Sequence, residues 1–106
     1  MVQTISRVKI GTLTNLPIQA GQVILVGEQE IALFRLANGE VYAVENKSPH
    51  PKGGTLADGL ISGSYLYCPV YDWKISLKTG EVQVPDEGKV RTFDVQVEGD
   101  QLYIVL

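Results

Sequence analysis

The chain has 106 residues, of which 12 are acidic and 9 are basic, so that it carries a net charge of −3. This length fits one small domain over residues 1–106 rather than several domains. A hydrophobic fraction of 44% with 20% charged residues excludes a disordered chain. Because Cys68 is the single cysteine, no intramolecular disulfide can form.

The charge and hydropathy patterns also exclude several kinds of partner. The basic residues are scattered, and no basic run supplies the phosphate contacts of a nucleic-acid binder. The longest apolar stretches, such as Val23–Val26 and Ile31–Phe34, are far below the roughly 20 residues of a membrane span. A lone thiol suits a reducing compartment, and the first residues carry no basic segment followed by an apolar one. We therefore expect a cytoplasmic protein without nucleic-acid or membrane contacts.

Short runs with two-residue alternation dominate the chain and predict a mainly β fold. The predicted strands are, in chain order, residues 8–10, 22–26, 31–36, 40–44, 93–97 and 101–106. Asn38-Gly39 predicts a hairpin, because both residues tolerate positive φ. Further hairpins are expected at Lys78-Thr79-Gly80 and at Glu98-Gly99-Asp100. Helical periodicity is not sustained, so any helix is limited to a turn or two near Thr14–Gln19.

Two irregular segments interrupt the β pattern in the middle of the chain. The alternation stops from Glu45 to Gly63, where prolines and glycines are crowded. A second irregular segment begins at Cys68 and runs through Trp73. Loops of this kind on a β scaffold are usually functional or bind a partner. By contrast, Asp86-Glu87-Gly88 is expected to be a solvated turn.

These two loops carry a recognisable motif. The first contains Ser48-Pro49-His50 and then Gly53-Gly54-Thr55-Leu56, and the second contains Cys68-Pro69, Tyr71 and Trp73. Together they resemble the Rieske pattern, in which Cys-x-His is followed, after a spacer, by Cys-x-x-His. The resemblance covers nearly the whole chain. It implies an all-β, Rieske-like fold of short antiparallel strands, a barrel or sandwich from which the two loops project.

The resemblance also identifies four ligand positions. His50 and Cys68 occupy two of them, whereas Ser48 stands where the first cysteine belongs and Tyr71 where the second histidine belongs. In a Rieske centre two thiolates bind one iron and two imidazoles bind the other. A serine hydroxyl is a harder and less acidic ligand than a thiolate, and a phenol does not replace an imidazole. Each iron lacks one ligand, and a structural zinc site needs four, so we expect no cluster and no metal in this chain.

A free-standing domain of this kind resembles the small subunit of the cytoplasmic NAD(P)H-dependent nitrite reductases of bacteria, which serve nitrate assimilation. The resemblance implies a large subunit that carries FAD, siroheme and a [4Fe-4S] cluster and reduces nitrite to ammonium. This chain would contribute no catalytic residue. We expect it to dock on the large subunit, and to stabilise or orient its redox domains, through Pro49, His50, Pro51, Tyr71 and Trp73.

Two alternatives remain open at this point. One is a Rieske-type ferredoxin that carries electrons to a dioxygenase, which must hold the cluster. The other is a stand-alone binding or regulatory module, since a fold does not fix a function. Single residues also have structural interpretations: His50 can brace its loop, Cys68 can be a buried apolar residue, and Trp73 can belong to the core. If Tyr71 fills the space of the missing cluster, it packs near Pro49 or His50.

Overall fold

The computed structural model describes residues 7–50, 53–69 and 72–105. Those residues form nine strands in two antiparallel sheets, a large sheet with the order β1-β9-β8-β4-β3-β2 and a small sheet with the order β5-β6-β7. The strands are β1 (Arg7–Thr12), β2 (Gly21–Val26), β3 (Gln29–Arg35), β4 (Val41–Glu45), β5 (Leu60–Ser62), β6 (Tyr65–Tyr67), β7 (Lys74–Ser76), β8 (Thr92–Glu98) and β9 (Gln101–Val105). The predicted all-β fold is confirmed.

β3 is buried on both faces because the large sheet separates two cores. Ile31 and Leu33 pack into the first core, together with residues of β8 and β9. Ala32 and Phe34 pack into the second core, which joins the large sheet to the small one. Side chains alternate between the faces of a strand, so a strand shared by two cores needs an unbroken apolar run such as residues 31–34.

The predicted hairpins are present. β3 and β4 are joined around Gly39, whose φ of 93° lies in the left-handed region. The side-chain Oδ1 of Asn38 accepts a hydrogen bond from the N–H of Glu40 at 2.9 Å. β8 and β9 are joined by residues 99–100, and the chain after β7 turns back so that Val82 bridges Ile75.

The short helix expected near Thr14–Gln19 is a single 3-10 turn at Leu13–Asn15. The Asp100 carboxylate accepts hydrogen bonds from the N–H of Thr14 at 3.1 Å and from its hydroxyl at 2.7 Å. Leu16 is extended, with φ −83° and ψ 132°, the conformation favoured before a proline, and this ends the turn. In the part of the chain that the structure describes, no helix is long and apolar enough to cross a membrane.

The small sheet packs on the second core through Leu66 and Ile75 and carries both irregular segments. The first loop connects β4 to β5, and the second loop connects β6 to β7. The first loop is shorter than the predicted segment from Glu45 to Gly63, because residues 60–62 pair with β6. Leu60 pairs with Tyr67, and Tyr67 pairs with Lys74, so both loops leave the small sheet at the same end.

Candidate functional site

Each of the two loops is closed at its base by a backbone hydrogen bond. The N–H of Ser48 donates to the carbonyl of Gly54 at 2.9 Å, and the N–H of Cys68 donates to the carbonyl of Trp73 at 2.9 Å. Ser48 and Cys68 are thus the first residues of two closed loops, 48–54 and 68–73. Both are buried, with exposed fractions of 3% and 0%. We call the surface formed by these two loops the loop end.

A side-chain hydrogen bond joins the two loop bases. Ser48 Oγ lies 3.2 Å from Cys68 Sγ, and either atom can be the donor. Ser48 Oγ also accepts a hydrogen bond from the N–H of His50 at 3.2 Å, the local turn that a serine hydroxyl commonly forms two residues along the chain. The structure therefore brings together three of the four ligand positions that the sequence indicated.

Trp73 links the two loops on their outer side. Its ring meets the ring of His50 edge to face, with centroids 4.8 Å apart and an angle of 64° between the planes. Both side chains are half-buried, as is Pro49, and Trp73 also packs against the second core. Tyr71, expected to fill the space of the cluster, and Pro51, expected to contact a partner, lie outside the described residues.

Asn46 braces the first loop, a role that the sequence did not signal. Its side-chain Oδ1 accepts hydrogen bonds from the N–H groups of Leu56 and Ala57, both at 2.9 Å. Its own N–H donates to the carbonyl of Glu30 at 3.1 Å, which ties the loop to β3. Asn46 is only 8% exposed. A single asparagine after a strand has no distinctive spacing, because its partners lie in other segments of the chain.

A third segment reaches the loop end. The N–H of Val82 donates to the carbonyl of Gly88 at 2.9 Å, which closes a turn over residues 82–88. A Cβ built on Gly88 would lie 3.3 Å from Pro49 Cβ and 3.9 Å from Trp73 Cζ3. The Asp86-Glu87-Gly88 segment was expected to be a solvated turn, and Glu87 and Gly88 are exposed while Asp86 is half-buried. Gly88 also lies close to both loops. The sequence did not reveal this packing, because Pro, Asp and Gly are common in any surface turn.

The residues at the ligand positions do not fit a [2Fe-2S] cluster. Ser48 and Cys68 stand where two thiolates would bind one iron, but their Oγ and Sγ atoms form a hydrogen bond with each other. The described donor set is one hydroxyl, one thiol and one imidazole, and iron–sulfur clusters select soft thiolates. Among residues 7–50, 53–69 and 72–105, no group of three or more His, Cys, Asp and Glu side chains is placed to hold a metal ion.

A second polar cluster lies away from the loop end, at the turn between β3 and β4. The Glu40 carboxylate accepts hydrogen bonds from the Tyr42 hydroxyl at 2.7 Å and from the Asn38 amide at 2.6 Å. These two bonds, that of Tyr42 first, hold the pKa of Glu40 below its usual value. Burial and the hydrogen bond to Glu40 raise the pKa of Tyr42 to about 12. This network stabilises the hairpin turn.

Comparison with protein families decides what kind of domain this is. Residues 6–105 match the Rieske-like [2Fe-2S] domain family. The chain belongs to the Rieske-like family. This match covers nearly the whole length and agrees with the two sheets and the two loops described above.

One curated relative of this Rieske-like domain is a nitrite reductase subunit. The domain is 32% identical over 96 residues to the NAD(P)H nitrite reductase large subunit of Klebsiella oxytoca, covering 87% of this chain and 10% of that protein. The chain spans 10% to 23% of the length of the curated relatives it matches.

Two solved structures show how widely the fold is shared. The NADH-dependent nitrite reductase small subunit of Mycobacterium tuberculosis superimposes with a TM-score of 0.86 at 19% identity, over 98% of this chain and 97% of that one. The ferredoxin of carbazole 1,9a-dioxygenase from Nocardioides aromaticivorans IC177 gives 0.80 at 23% identity, over 93% and 96% of the two chains. At these identities the two structures show the Rieske-like fold alone.

Proposed function

We propose that this Rieske-like domain is a cofactor-free small subunit of a cytoplasmic NAD(P)H-dependent nitrite reductase that serves nitrate assimilation. It contributes no catalytic residue and docks on a large subunit that carries FAD, siroheme and a [4Fe-4S] cluster. The observation that carries the proposal is the Ser48–Cys68 hydrogen bond, which joins the two loop bases where a cluster would otherwise join them. A domain that keeps its loops together without a cluster can bind a partner, but it has no redox group with which to carry an electron.

The relative from Klebsiella oxytoca supports contact with a large subunit. There a segment similar to 87% of this chain is part of the polypeptide named as the large subunit. Where the same two units are separate chains, they need a non-covalent interface to work together. The loop end is the surface that we assign to this interface.

The loop end is suited to docking because its side chains are held in place before binding. His50 and Trp73 fix each other by ring contact, and Pro49 packs beside Gly88. Side chains that are already ordered lose less conformational entropy when a partner covers them. Pro51 and Tyr71 belong to the same two loops by sequence, and we include them in the proposed interface.

Co-purification tests the proposed partner. The chain is co-expressed with a tagged nitrite reductase large subunit from the same organism, and nitrite-dependent NAD(P)H oxidation is measured with and without it. We expect a stable complex and higher activity in its presence. If the two proteins elute separately and the activity of the large subunit is unaffected, the proposal is wrong.

The alternative is a ferredoxin that carries electrons to a dioxygenase, which the fold match to the carbazole dioxygenase ferredoxin favours. That function requires a bound cluster. Iron and acid-labile sulfide are therefore measured after anaerobic reconstitution, with a Rieske ferredoxin as the positive control. We expect a colourless protein without stoichiometric iron, because Ser48 and Tyr71 replace one ligand of each iron. A coloured protein with two irons per chain would establish the ferredoxin function instead.

A further inference from the structure

The turn between β3 and β4 contains the single Asn-Gly pair of the sequence, Asn38-Gly39. An asparagine in this position can lose its side-chain ammonia without an enzyme, because the glycine nitrogen that attacks it has no side chain beside it. Gly39 has a φ of 93°, a conformation that glycine adopts readily. A Cβ built on Gly39 would meet no atom of a described residue within 4 Å apart from its chain neighbours. The turn thus needs, next to Asn38, the residue that leaves the Asn38 amide most open to attack.

Hydrogen bonds of the folded turn hold the groups that would react. The N–H of Gly39 donates to the carbonyl of Leu36 at 3.0 Å. The side-chain Oδ1 of Asn38 accepts a hydrogen bond from the N–H of Glu40 at 2.9 Å, and its Nδ2 donates to the Glu40 carboxylate at 2.6 Å. The attacking nitrogen and both ends of the amide are therefore engaged. Before they can react, Gly39 has to give up its hydrogen bond and the side chain of Asn38 has to leave Glu40.

We propose that Asn38 is a deamidation site that the folded turn suppresses and that opening of the turn exposes. In the reaction, hydroxide removes the proton of the Gly39 N–H, and this nitrogen forms a bond to Cγ of Asn38. The bond from Cγ to Nδ2 breaks, and Nδ2 takes up a proton from water and leaves as ammonia. Water then adds to either carbonyl of the succinimide ring, and the ring opens to aspartate or to isoaspartate. Water is consumed and ammonia is released, without oxidation or reduction.

The products cannot rebuild the bonds of the turn. A carboxylate has no N–H to donate, so an aspartate at position 38 would face the Glu40 carboxylate where the amide now donates. Two carboxylates that face each other in this way repel each other. In isoaspartate the main chain runs through the side-chain carbons and is longer, which disturbs the pairing of Arg35 with Val41 next to the turn. Deamidation therefore loosens the hairpin that holds β3, the strand shared by both cores.

Peptide mass spectrometry measures the rate of deamidation, with the full chain kept in mildly alkaline buffer with and without denaturant. We expect the folded chain to react about a hundredfold more slowly than the unfolded chain, since three hydrogen bonds have to open and each corresponds to a factor of about five. Glu40→Ala removes the acceptor of Nδ2 and should speed the reaction of the folded chain about fivefold, with no effect in denaturant. Glu28→Ala, at an exposed position in the turn between β2 and β3, is the matched control. The peptide that carries Asn15, which leucine follows, should stay unchanged over the same time.

Asn46→Ala separates opening of the turn from unfolding of the whole chain, because it removes contacts of the first loop and leaves those of the turn intact. It should react at close to the wild-type rate. If Asn46→Ala speeds the reaction as much as Glu40→Ala does, or if folded Glu40→Ala reacts like Glu28→Ala, the bonds of the turn do not suppress the reaction and the proposal is wrong. Equal rates with and without denaturant, or an Asn38 that does not react in denaturant, would also overturn it.

The aspartate product is made directly as Asn38→Asp, and Asn38→Ser is its matched control. Both variants lose the amide, but only Asn38→Asp adds a negative charge next to Glu40. We therefore expect Asn38→Asp to melt at a lower temperature than Asn38→Ser. Equal melting temperatures would contradict the loosening of the hairpin by the aspartate product.

Discussion

Ser48 and Cys68 join the two loops by a contact that is weak in itself. A hydrogen bond between neutral groups contributes about 1 kcal/mol to the stability of a folded protein, and a thiol is a poor partner. The loops therefore depend on several such contacts together. The ring contact between His50 and Trp73 and the two hydrogen bonds to Asn46 are among these contacts.

Replacing the serine by cysteine turns this contact into a covalent test of the geometry. We expect Ser48→Cys to form a disulfide with Cys68 in an oxidising buffer. Ser48 Oγ and Cys68 Sγ lie 3.2 Å apart, so two sulfur atoms at these positions need only a small movement to reach the S–S bond length of about 2 Å. The bond closes a segment of 20 residues and should stabilise the fold by about 3 kcal/mol. Mass spectrometry and melting under oxidising and reducing conditions measure both effects. Ser62→Cys, at an exposed position, is the control that keeps two free thiols, and two free thiols in oxidised Ser48→Cys would contradict the geometry.

Tyr42 predicts how the stability changes at alkaline pH. Its pKa in the folded state is about 12, whereas the unfolded value is about 10. The folded state holds the proton of Tyr42 more tightly than the unfolded state does. The stabilisation that results is fully present below pH about 10 and is lost as the pH rises to about 12. Glu40→Gln removes a charge that opposes the ionisation of Tyr42 and should lower the pKa of Tyr42. The burial of Tyr42 is unchanged in this variant, so the pKa should stay above its ordinary value. Titration of the tyrosinate absorbance of the wild-type chain and of Glu40→Gln measures the pKa of Tyr42, and Tyr42→Phe identifies its signal. Superimposable titration curves of the wild-type chain and of Glu40→Gln would contradict the role of Glu40.

At the scale of elements, the sequence predicted the parts whose signals are local. The Asn38-Gly39 hairpin, the two-residue alternation and the two loops follow from neighbouring residues, and all are present. The two-sided burial of β3 is visible as an apolar run, although the run does not say that two cores meet there. Asn46 and the turn over residues 82–88 could not be predicted, because their contacts join segments that are far apart in the chain. The position of Trp73, half in the core and half at the surface, depends on tertiary packing in the same way.

Asn46 offers a quantitative test of the brace at the first loop. Asn46→Ala removes the acceptor of two buried N–H groups, those of Leu56 and Ala57. Each unsatisfied group costs about 1 to 3 kcal/mol, so we expect the free energy of unfolding to fall by about 2 kcal/mol or more. Hydrogen exchange should accelerate at these two amides more than in β9. Asn15→Ala, at an exposed position, is the control, and an equal loss of stability in both variants would contradict the role of Asn46.

At the scale of the whole molecule, Cys68 is the one described ligand position that belongs to a core, the second one. β3 belongs to both cores, and the described members of the first core include no residue of either loop, so the packing of the first core does not depend on what occupies the loop end. The superposition of 98% of this chain on a nitrite reductase small subunit agrees with a fold that the two cores determine. Residues at the loop end can therefore be replaced without a change of fold, so the role of the loop end has to be tested by binding experiments with variants of its exposed residues.

Trp73 is the residue at which stability and binding meet. We expect Trp73→Ala to weaken binding to the large subunit tenfold or more, because truncating an aromatic contact in an interface commonly costs 2 kcal/mol or more and about 1.4 kcal/mol corresponds to tenfold. The melting temperature should fall as well, since the ring packs against His50 and the second core.

The two effects of Trp73→Ala are separated by measuring the affinity at a temperature where circular dichroism shows the variant to be folded. Trp73→Phe keeps an aromatic ring beside His50 and should retain most of the affinity, and Val97→Ser should change neither quantity. An affinity equal to wild type in folded Trp73→Ala would remove Trp73 from the interface. The same result with Pro49→Ala and with Pro51→Ala would reject the loop end as the docking surface.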